Sequence, residues 1–408
     1  MTEEGTVAKR VVVLGASFAG LTAAFDIKRL TGDASDVTVV SSRDRFVFVP
    51  SLIWVVSGDR NLEDVSFELA PAFQKKNINF VHAAAQRIDP DEQKVYLADG
   101  SALPYDFLFI GTGAHLNFDA VPGLGPERGF THSVCTIEHA LQAQKAWSEF
   151  LQDPGPIVVG AAQGASCFGA AYEVVLNLEY ALRKAGLRDR ATVSFFTSEP
   201  YLGHFGLGGM DKASRQIHTF FRRFGIRGIP NVAIEEVSPD AIRLSNGVTL
   251  AYKYAVVIPP FLGADAVRNS PGIGNEAGWV PVNENYQHPR YPNIYAGGVA
   301  VAVAPFEETP IPTGVPKTGY MSEVMGRVAG HNIAAQIKGQ KPKGALVAEM
   351  GAMCILDAGN TGMVIMLDKI FGKRNLDFML PGFFIHWGKL LFETYFIWKA
   401  STGKTYLP

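Results

Sequence analysis

Three cysteines are the side chains of this 408-residue chain with the most distinctive chemistry. Cys167 lies in "GASCFGAAYE", directly after the apolar run "PIVVGAAQ", where a strand-to-helix turn ordinarily has glycines that admit a phosphate. Amide dipoles at the start of a helix favour an anion, so this position predicts a lowered pKa for the Cys167 thiol. A redox-active thiolate is one interpretation, and a buried structural cysteine is the other. Cys135 in "HSVCTIEH" and Cys354 in "GAMCILDAG" complete the set.

Three ionisable side chains close to these motifs are candidates for moving protons. Glu173 follows Cys167 by about 1.7 turns of the same predicted helix, so its spacing does not decide whether it faces the sulfur. His139 would share a helical face with Cys135 if the helix already begins there. His204 lies in the glycine-rich stretch "YLGHFG". A neutral imidazole can accept a proton and return it later, but each of these residues is also compatible with a structural role.

A glycine-rich turn near the N-terminus predicts a dinucleotide site. The run "KRVVVLGASFAGLTAAFDIKRL" indicates a buried parallel strand, a turn and a helix. Gly15 permits the tight turn, Gly20 permits close packing of helix on strand, and the amides at the helix start can hold a pyrophosphate. Ser17 replaces the usual middle glycine, and Ser41 stands where the second strand usually ends in a carboxylate. On this motif alone, a nucleotide-like fold without a dinucleotide is the alternative.

Two later stretches indicate that the dinucleotide is FAD. "YDFLFIGTGA" resembles the second glycine turn of two-dinucleotide flavoproteins, and "NIYAGG" resembles their late strand near the ribityl chain. Lys317 could place positive charge where flavin reduction builds negative charge, although a solvated loop lysine is the alternative. The predicted cofactor-binding residues are Gly15, Ser17, Phe18, Ala19, Gly20, Ser41, Arg43, Pro50, Ala85, Thr112, Gly113, Gly298, Lys317 and Gly319.

The elements that must position these residues form two similar units. The strand–glycine–helix pattern of the N-terminus returns at "PIVVGAAQGASCFGAAYEVVLNLEYALRKAG", which indicates an internal duplication. We predict an α/β fold with two Rossmann-like dinucleotide-binding domains, one inserted in the other, and a C-terminal amphipathic membrane-associating region. The predicted boundaries are 1–152 and 286–340 for the FAD-binding domain, 153–285 for the second Rossmann-like domain and 341–408 for the C-terminal region.

The composition argues against several other classes of protein. A net charge of -2 gives no footprint for nucleic acid. The N-terminus lacks the basic start and apolar stretch of a secretory signal, and no run reaches the roughly 18 apolar residues of a spanning helix. Three cysteines do not make a disulfide scaffold, so in a cytoplasmic chain they indicate buried thiols or redox chemistry. We predict no metal site.

Over nearly its whole length the chain resembles the sulfide:quinone oxidoreductases, bacterial FAD-containing enzymes that associate with the membrane. The resemblance rests on "RFVFVPSLIW", "SVCTIEH", "GPIVVGAAQGASCFGAAYE", "TSEPYLGHFG", "PTGVPKTGYM" and "FETYFIWK". It implies that HS⁻ attacks an oxidised Cys167–Cys354 pair, joined as a disulfide or through bridging sulfur, and leaves a persulfide on one cysteine. The freed thiolate, assigned to Cys354, would pass two electrons to the flavin, and Cys135 would assist transfer or release of polysulfur. The predicted catalytic residues are Cys167, Cys354, Cys135, Glu173, His139 and His204.

The C-terminal stretch "PGFFIHWGKLLFETYFIWK" predicts a helix lying in a bilayer interface. As a helix it places His386, Lys389 or Lys399, and Glu393 on a narrow polar stripe, with the lysines toward lipid phosphate. We predict that membrane quinone is the electron acceptor and that the protein lies on the cytoplasmic side of the cell membrane. A dimer or interdomain helix is the alternative, and a homo-oligomer stays open. The predicted quinone contacts are Phe46, Phe384 and Phe396.

Other functions share parts of this pattern. A type II NADH:quinone oxidoreductase has the same architecture, and Glu199 after a strand could contact a nucleotide ribose, but such an enzyme has no use for Cys167 and Cys354. A periplasmic flavocytochrome sulfide dehydrogenase would share the cysteines and would need export. A non-enzymatic FAD-binding redox or interaction protein is the alternative from another class.

Overall fold

A computed structural model of the chain describes residues 7–208, 210–305, 307–344, 350–370 and 374–407. Its first sheet has five parallel strands in the spatial order β19 (Ile294–Ala296), β9 (Phe107–Ile110), β1 (Lys9–Leu14), β2 (Ser35–Ser41) and β5 (Asn79–His82). Helix α1 (Phe18–Thr31) follows β1 and packs against α8 (Gly319–Ile337). The apolar run of β1 is buried, as the central strand of a parallel sheet requires. This unit therefore draws its strands from two separate stretches of chain.

A second parallel sheet repeats the arrangement. Its order is β13 (Ile226–Ile229), β12 (Val193–Thr197), β11 (Ile157–Ala161) and β17 (Tyr254–Ile258). Helix α5 (Phe168–Lys184) follows β11, just as α1 follows β1, and α6 (Asp211–Phe224) packs against β13. An antiparallel sheet of β14 (Ile234–Val237), β15 (Ala241–Leu244) and β16 (Thr249–Ala251) lies between β13 and β17 in the chain. The glycine loop between β11 and α5 thus occupies the same place as the loop between β1 and α1.

Smaller elements connect the two units. Three antiparallel groups are β3 (Arg45–Val47) with β4 (Ser66–Glu68), β6 (Ala85–Asp89) with β7 (Lys94–Leu97) and β8 (Ala102–Pro104), and β10 (Ala114–Leu116) with β18 (Phe261–Gly263). The remaining short or connecting helices are α2 (Leu52–Ser57), α3 (Leu69–Gln74), α4 (Ile137–Phe150) and α7 (Asp265–Arg268). Helix α2 contacts both α4 and α5, so it lies where the first unit meets the second.

The C-terminal region contributes a third sheet and one long helix. Strands β20 (Ala352–Asp357), β21 (Gly362–Leu367) and β22 (Asp377–Gly382) are antiparallel, and α9 (Phe384–Ser401) follows them. Strand β20 packs on α5, and α9 packs on all three strands. This placement puts residues near the end of the chain beside the second glycine loop. Among the described helices, none is both long enough and apolar enough to cross a bilayer.

Helix α9 has the predicted polar stripe, but the stripe faces the protein. Lys389, Glu393 and Lys399 are all buried, so the expectation that the lysines point toward lipid phosphate is wrong. Lys389 pairs with Glu173, Lys399 pairs with Glu323 at 2.8 Å, and Glu393 accepts from Arg60 at 3.0 Å. These partners on other elements satisfy the buried charges and hold the stripe inward. The exposed side of the helix is instead apolar, with Phe383, Phe384, Trp387, Leu391 and Trp398 at the surface.

Candidate active site

The close backbone approaches at the first glycine turn explain why Gly15 and Gly20 are both glycine. Gly15 has φ +92°, and a Cβ added there would lie 2.3 Å from the carbonyl oxygen of Gly111. A Cβ at Gly20 would lie 1.9 Å from the carbonyl oxygen of Gly15. Ser17 precedes α1 and its side chain makes no capping hydrogen bond. The first amides of α1 therefore stay available to an anion such as a pyrophosphate.

A cavity of about 450 Å³ begins at this turn and extends between α8, α5, β20 and α9. The starts of two helices, α1 and α8, lie on its lining, and Thr318 caps α8 by accepting the Met321 N–H. The Thr112 hydroxyl is buried and has no hydrogen-bond partner among the described residues. A bound dinucleotide would use the helix amides and could satisfy that hydroxyl, so the residues present fit FAD. The predicted cofactor residues on the lining are Ser17, Phe18, Ala19, Pro50, Gly113, Gly298, Lys317 and Gly319.

Six predicted cofactor residues lie off this lining, namely Gly15, Gly20 and Thr112, described above, and Ser41, Arg43 and Ala85. Ser41 ends β2, and the Arg43 guanidinium after it donates to Glu138 at 3.2 Å. Ala85 begins β6. These three residues are not among those that the cavity brings together, and their contact with the cofactor remains a prediction.

Lys317 is not a solvated loop lysine. Its Nζ donates to the carbonyl oxygens of Val299 at 3.0 Å and Val301 at 2.7 Å, and it lies 3.9 Å from the ring centroid of Trp279. Burial lowers the pKa of Lys317 to about 7. The carbonyls and the ring hold the amine at the cavity, where an added negative charge would favour its protonated form.

The same cavity brings the three cysteines together. Cys167 immediately precedes α5, Cys354 lies within β20, and Cys135 lies in the loop before α4. All three side chains are on the lining. A Cβ added at Gly169 would lie 3.6 Å from the Cys354 sulfur, so the first turn of α5 passes directly beside that thiol. The packing of β20 on α5 therefore brings Cys354 beside the helix that Cys167 precedes, although the two cysteines are far apart in the sequence.

The pKa of each thiol is raised, and the predicted lowering at Cys167 is wrong. Burial raises the pKa of Cys135 and of Cys354 to about 12. Burial also raises the pKa of Cys167, while the Ala170 N–H opposes the rise. The Cys167 side chain is exposed at the cavity, but the surrounding protein still removes more solvation than the one amide at the helix start offsets. The free thiols are therefore neutral near neutral pH, and a nearby base is needed to form a thiolate.

Glu173 lies on the cavity lining and belongs to a buried ion pair. Its Oε1 accepts from Lys389 Nζ at 2.5 Å and from the Asp357 N–H at 2.7 Å. Burial raises the pKa of Glu173 to about 7, and Lys389 limits the rise. The carboxylate interacts electrostatically with both Cys167 and Cys354. A group that is half protonated near neutral pH beside two thiols has the properties of a proton acceptor and donor.

The two predicted histidines lie behind the lining rather than on it. His139 Nε2 is 2.7 Å from Glu127, and its amide donates to Thr136 at the start of α4. His204 is buried, and its Nδ1 accepts the Gly206 N–H at 3.1 Å. Its Nε2 then carries the proton and donates to Glu307 at 2.6 Å. The structure does not bring either imidazole onto the cysteine cavity, so a direct role for them stays a prediction.

An aromatic cluster forms the end of the cavity beside α9. The Phe396 ring lies 5.0 Å from Phe18, 5.2 Å from Phe48 and 6.0 Å from Phe46, all between ring centroids. Phe396 is on the lining, and Phe46 packs directly behind it. Phe384 is 48% exposed and off the lining, because it starts α9 on the outward side. Its role as a quinone contact stays a prediction, and Phe392 is a lining residue that the sequence analysis missed.

The second glycine loop is covered by another segment of the chain. The Gly164 N–H donates to Pro312 O at 2.7 Å, and the Gly314 N–H donates to Ala165 O at 2.8 Å. Glu199 is fully buried and accepts from the Tyr172 hydroxyl, the Thr197 hydroxyl and the Phe205 N–H. The loop backbone and the carboxylate that NADH would need are thus already occupied. This arrangement disfavours the NADH-dependent alternative.

The sequence did not lead us to Asp357 as a site residue, and it led us to expect Lys389 to point toward lipid rather than into the protein. Asp357 follows Cys354 by three residues in "CILDAG", and a carboxylate so close to a redox cysteine was the signal available. Lys389 was recognised as polar, but its partner Glu173 lies 216 residues away. Local patterns do not reveal a pairing of that kind.

The fold and the site together define a flavoprotein with two dinucleotide-type units and a cysteine centre. Residues 9–322 match the pyridine nucleotide-disulphide oxidoreductase family. The chain is 40% identical to the sulfide-quinone reductase of Aquifex aeolicus, over 97% of this chain and 92% of that protein. The chain belongs to the pyridine nucleotide-disulphide oxidoreductases and, within them, to the sulfide:quinone oxidoreductases.

Solved structures agree with this placement. The crystal structure of the Aquifex aeolicus sulfide:quinone oxidoreductase matches with a TM-score of 0.92 at 39% identity, covering 97% of this chain and 92% of that one. The NDH2 structure from Plasmodium falciparum in complex with NADH matches with a TM-score of 0.73 at 14% identity, covering 98% of this chain and 97% of that one. The second likeness concerns the fold alone.

Proposed function

We propose that this protein is an FAD-dependent sulfide:quinone oxidoreductase. The observation that carries the proposal is that Cys135, Cys167 and Cys354 line the same cavity as the residues that fit FAD. Sulfide is a small nucleophile that needs an electrophilic sulfur more than a shaped pocket. The name of the 40% identical Aquifex aeolicus protein supports the same substrate and acceptor.

The proposed sulfur chemistry uses Cys167 and Cys354 as an oxidised pair, either a disulfide or a sulfur-bridged form. In the disulfide form, HS⁻ attacks one sulfur, the S–S bond breaks, and a persulfide forms while the other cysteine leaves as a thiolate. We assign the persulfide to Cys167 and the thiolate to Cys354. Cys135 assists transfer of the growing polysulfur. When bound, FAD accepts two electrons from the sulfur centre and passes them to quinone.

Glu173 supplies the base that the raised thiol pKa values require. Its own pKa of about 7 lets it take a proton from sulfide or a thiol and release it again within one turnover. Lys389 keeps the ionised form accessible despite burial. His139 and His204 remain in the proposal as catalytic groups that act from behind the lining, through the loops that carry Cys135 and Phe205.

In this proposal, quinone binds at the end of the cavity that is formed by the aromatic cluster around Phe396, and that end faces an apolar surface. Met353 is on the lining, and it pairs across the sheet with Met366, which pairs with Phe378. Directly opposed residues share a sheet face, and both Met366 and Phe378 are exposed. With Phe383, Trp387 and Leu391 of α9, they form a surface that suits a bilayer in which quinone dissolves. We call these six residues the apolar face. Met353 lies on the cavity lining, and the others are at the surface, namely Met366, Phe378, Phe383, Trp387 and Leu391. We propose attachment by this face on the cytoplasmic side of the cell membrane.

The test follows flavin absorbance in the purified protein under anaerobic conditions. Sulfide should bleach the oxidised flavin, and a hydrophobic quinone added afterwards should restore it. An FAD-binding protein without turnover would show neither change. Bleaching by NADH at similar concentrations, with none by sulfide, would contradict the proposal and favour the NADH-dependent enzyme.

A further inference from the structure

A cluster of buried polar side chains connects the cysteine cavity with the surface at the start of α9. Its members are Glu173, Lys389, Asp357, Trp54 and His386. Glu173 accepts from Lys389 and from the Asp357 N–H, as described above. The Asp357 carboxylate accepts from Trp54 Nε1 at 2.9 Å and lies 2.8 Å from His386 Nδ1. Asp357 therefore contacts Glu173 through its main chain and His386 through its side chain.

His386 is the most exposed ionisable member of this cluster. The Asp357 side chain is fully buried, whereas the His386 side chain is 22% exposed. Lys389 and Glu173 are each at least nine-tenths buried. Of the ionisable members of this cluster, His386 is thus the one whose side chain reaches the solvent.

The members are also coupled through their charges. Burial raises the pKa of Glu173, Lys389 lowers it, and the negative charge of Asp357 raises it further. Burial works against ionisation of Asp357, but the hydrogen bond with His386 and the charge of Lys389 hold the pKa of Asp357 below its usual value. A change in the charge of His386 would therefore change the electrostatic effect of the Asp357 carboxylate on the pKa of Glu173.

We propose that Asp357 and His386 are positioning residues that link the surface of α9 to the proton held by Glu173 during sulfide oxidation. The pair holds Glu173 and Lys389 beside Cys354, and its net charge sets how readily Glu173 gives up that proton. Neither residue is on the cavity lining, so both act through Glu173. This inference rests on the proposed function and adds a dependence on the charge of a particular surface histidine.

Other charged groups around the cluster are already accounted for. From the segment after α2, Arg60 lies 5.2 Å from the Trp54 ring centroid and donates to Glu393 of α9 at 3.0 Å. From α5 and β20, Cys167 and Cys354 face Glu173. Because Arg60 and Glu393 pair with each other, they offset most of each other's charge, and the group in direct contact with the Asp357 carboxylate is His386.

The experiment measures the rate of flavin reduction by sulfide against pH, in stopped flow, for the FAD-loaded full-length protein and two variants. Asp357→Asn removes a negative charge near Glu173, so the apparent pKa of the reduction rate should fall by about one unit. His386→Gln removes the imidazole that contacts the Asp357 carboxylate, so the apparent pKa should rise by about half a unit. Sulfide titrates identically in every sample, so only differences between proteins are interpreted.

Two further variants make the result decisive. His386→Lys restores a permanent positive charge and should shift the apparent pKa back below that of His386→Gln, which also preserves the test if Asp357→Asn does not fold. His331→Gln is the matched control, because His331 pairs with the buried Asp26 at 3.3 Å on the other side of the first unit. Its profile should coincide with that of the unmodified protein.

Opposite shifts for Asp357→Asn and His386→Gln, with rescue by His386→Lys, support the proposal. Profiles that coincide, or that shift in one common direction, overturn it even if the rates fall, because a purely structural role predicts loss without opposite shifts. If sulfide does not reduce the flavin of the unmodified protein at all, the proposed function itself has failed.

Discussion

At the scale of single residues, the proposed chemistry uses three thiols that share a cavity but differ in position. Cys167 precedes a helix, Cys354 lies within a strand beside that helix, and Cys135 comes from a separate loop. Glu173 is the ionisable lining residue that interacts with two of them. This asymmetry supports the proposal that Cys167 and Cys354 carry out the central exchange and that Cys135 assists.

Replacing the cysteines one at a time should therefore give graded effects. Cys354→Ser should slow sulfide-dependent flavin reduction by more than about 100-fold while FAD stays bound, since no thiolate remains to deliver electrons. Cys167→Ser should be similarly impaired, because the electrophilic pair cannot form. Cys135→Ser should retain partial activity and serves as the matched control. Near-normal sulfide-to-quinone turnover by Cys354→Ser would contradict the mechanism.

At the scale of elements, α9 stabilises the site through charges that it buries against other elements. Lys389→Met would leave Glu173 without its cation, and breaking a buried pair costs about 3–5 kcal/mol. The folded pKa of Glu173 is raised above its value of 4.5 in an unfolded chain. Because Lys389 limits that rise, the penalty of removing it is small while Glu173 is protonated in the folded state of both proteins, and it grows as the pH rises above about 7.

Thermal unfolding of Lys389→Met at pH 5 and pH 8 tests this predicted dependence of stability on pH. The variant should lose more stability relative to the unmodified protein at pH 8 than at pH 5. Lys145→Met, at an exposed position of α4, should change little at either pH and controls for loss of a lysine. An equal loss at both pH values would show that the Glu173–Lys389 pair does not carry the effect.

The covered glycine loop after β11 makes a second prediction at this scale. Its backbone already bonds with Pro312 and Gly314, and Glu199 is occupied by neighbouring donors. NADH and NADPH should therefore leave the flavin oxidised under anaerobic conditions in which sulfide bleaches it rapidly. Comparable rates with NADH would mean that the segment around Pro312 moves aside, and would return the NADH-dependent function to consideration.

At the scale of the whole molecule, the apolar face should control attachment to lipid and access of quinone. Removing α9 altogether would also remove Phe396 and the partners of Glu173 and Glu323, so substitutions at the surface test attachment more cleanly. Each large apolar side chain that leaves water contributes about 1.5–3 kcal/mol when fully buried. Trp387→Ser combined with Leu391→Ser should weaken binding to lipid vesicles by at least about tenfold.

The same double variant should keep its rate of flavin reduction by sulfide, because the cysteines lie inside the cavity. Sedimentation with vesicles and stopped-flow absorbance measure the two properties separately. Phe130→Ser combined with Leu141→Ser removes exposed apolar side chains outside the C-terminal region and is the matched control. Equal vesicle binding by both double variants would show that α9 serves another contact, such as a dimer.

The sequence by itself determined the features that local pattern specifies. Short apolar strands followed by glycine turns and helices predicted both Rossmann-like units, because tight turns and close helix packing demand glycine at Gly15 and Gly20. The cysteines, the FAD motifs and the amphipathic period of α9 could be recognised because they, too, are local features of the sequence. Similarity of motifs along the chain was enough to indicate the family and the chemistry.

The tertiary structure alone decided what depends on distant partners. A helix that is apolar around most of its circumference does not reveal which side faces inward, and for α9 that choice was made by buried carboxylates on α5 and α8. The raised pKa of Cys167 likewise reflects burial by remote segments, which the helix start could not overcome. Asp357 was missed for the same physical reason: burial and charge pairing are set by residues far apart in the chain.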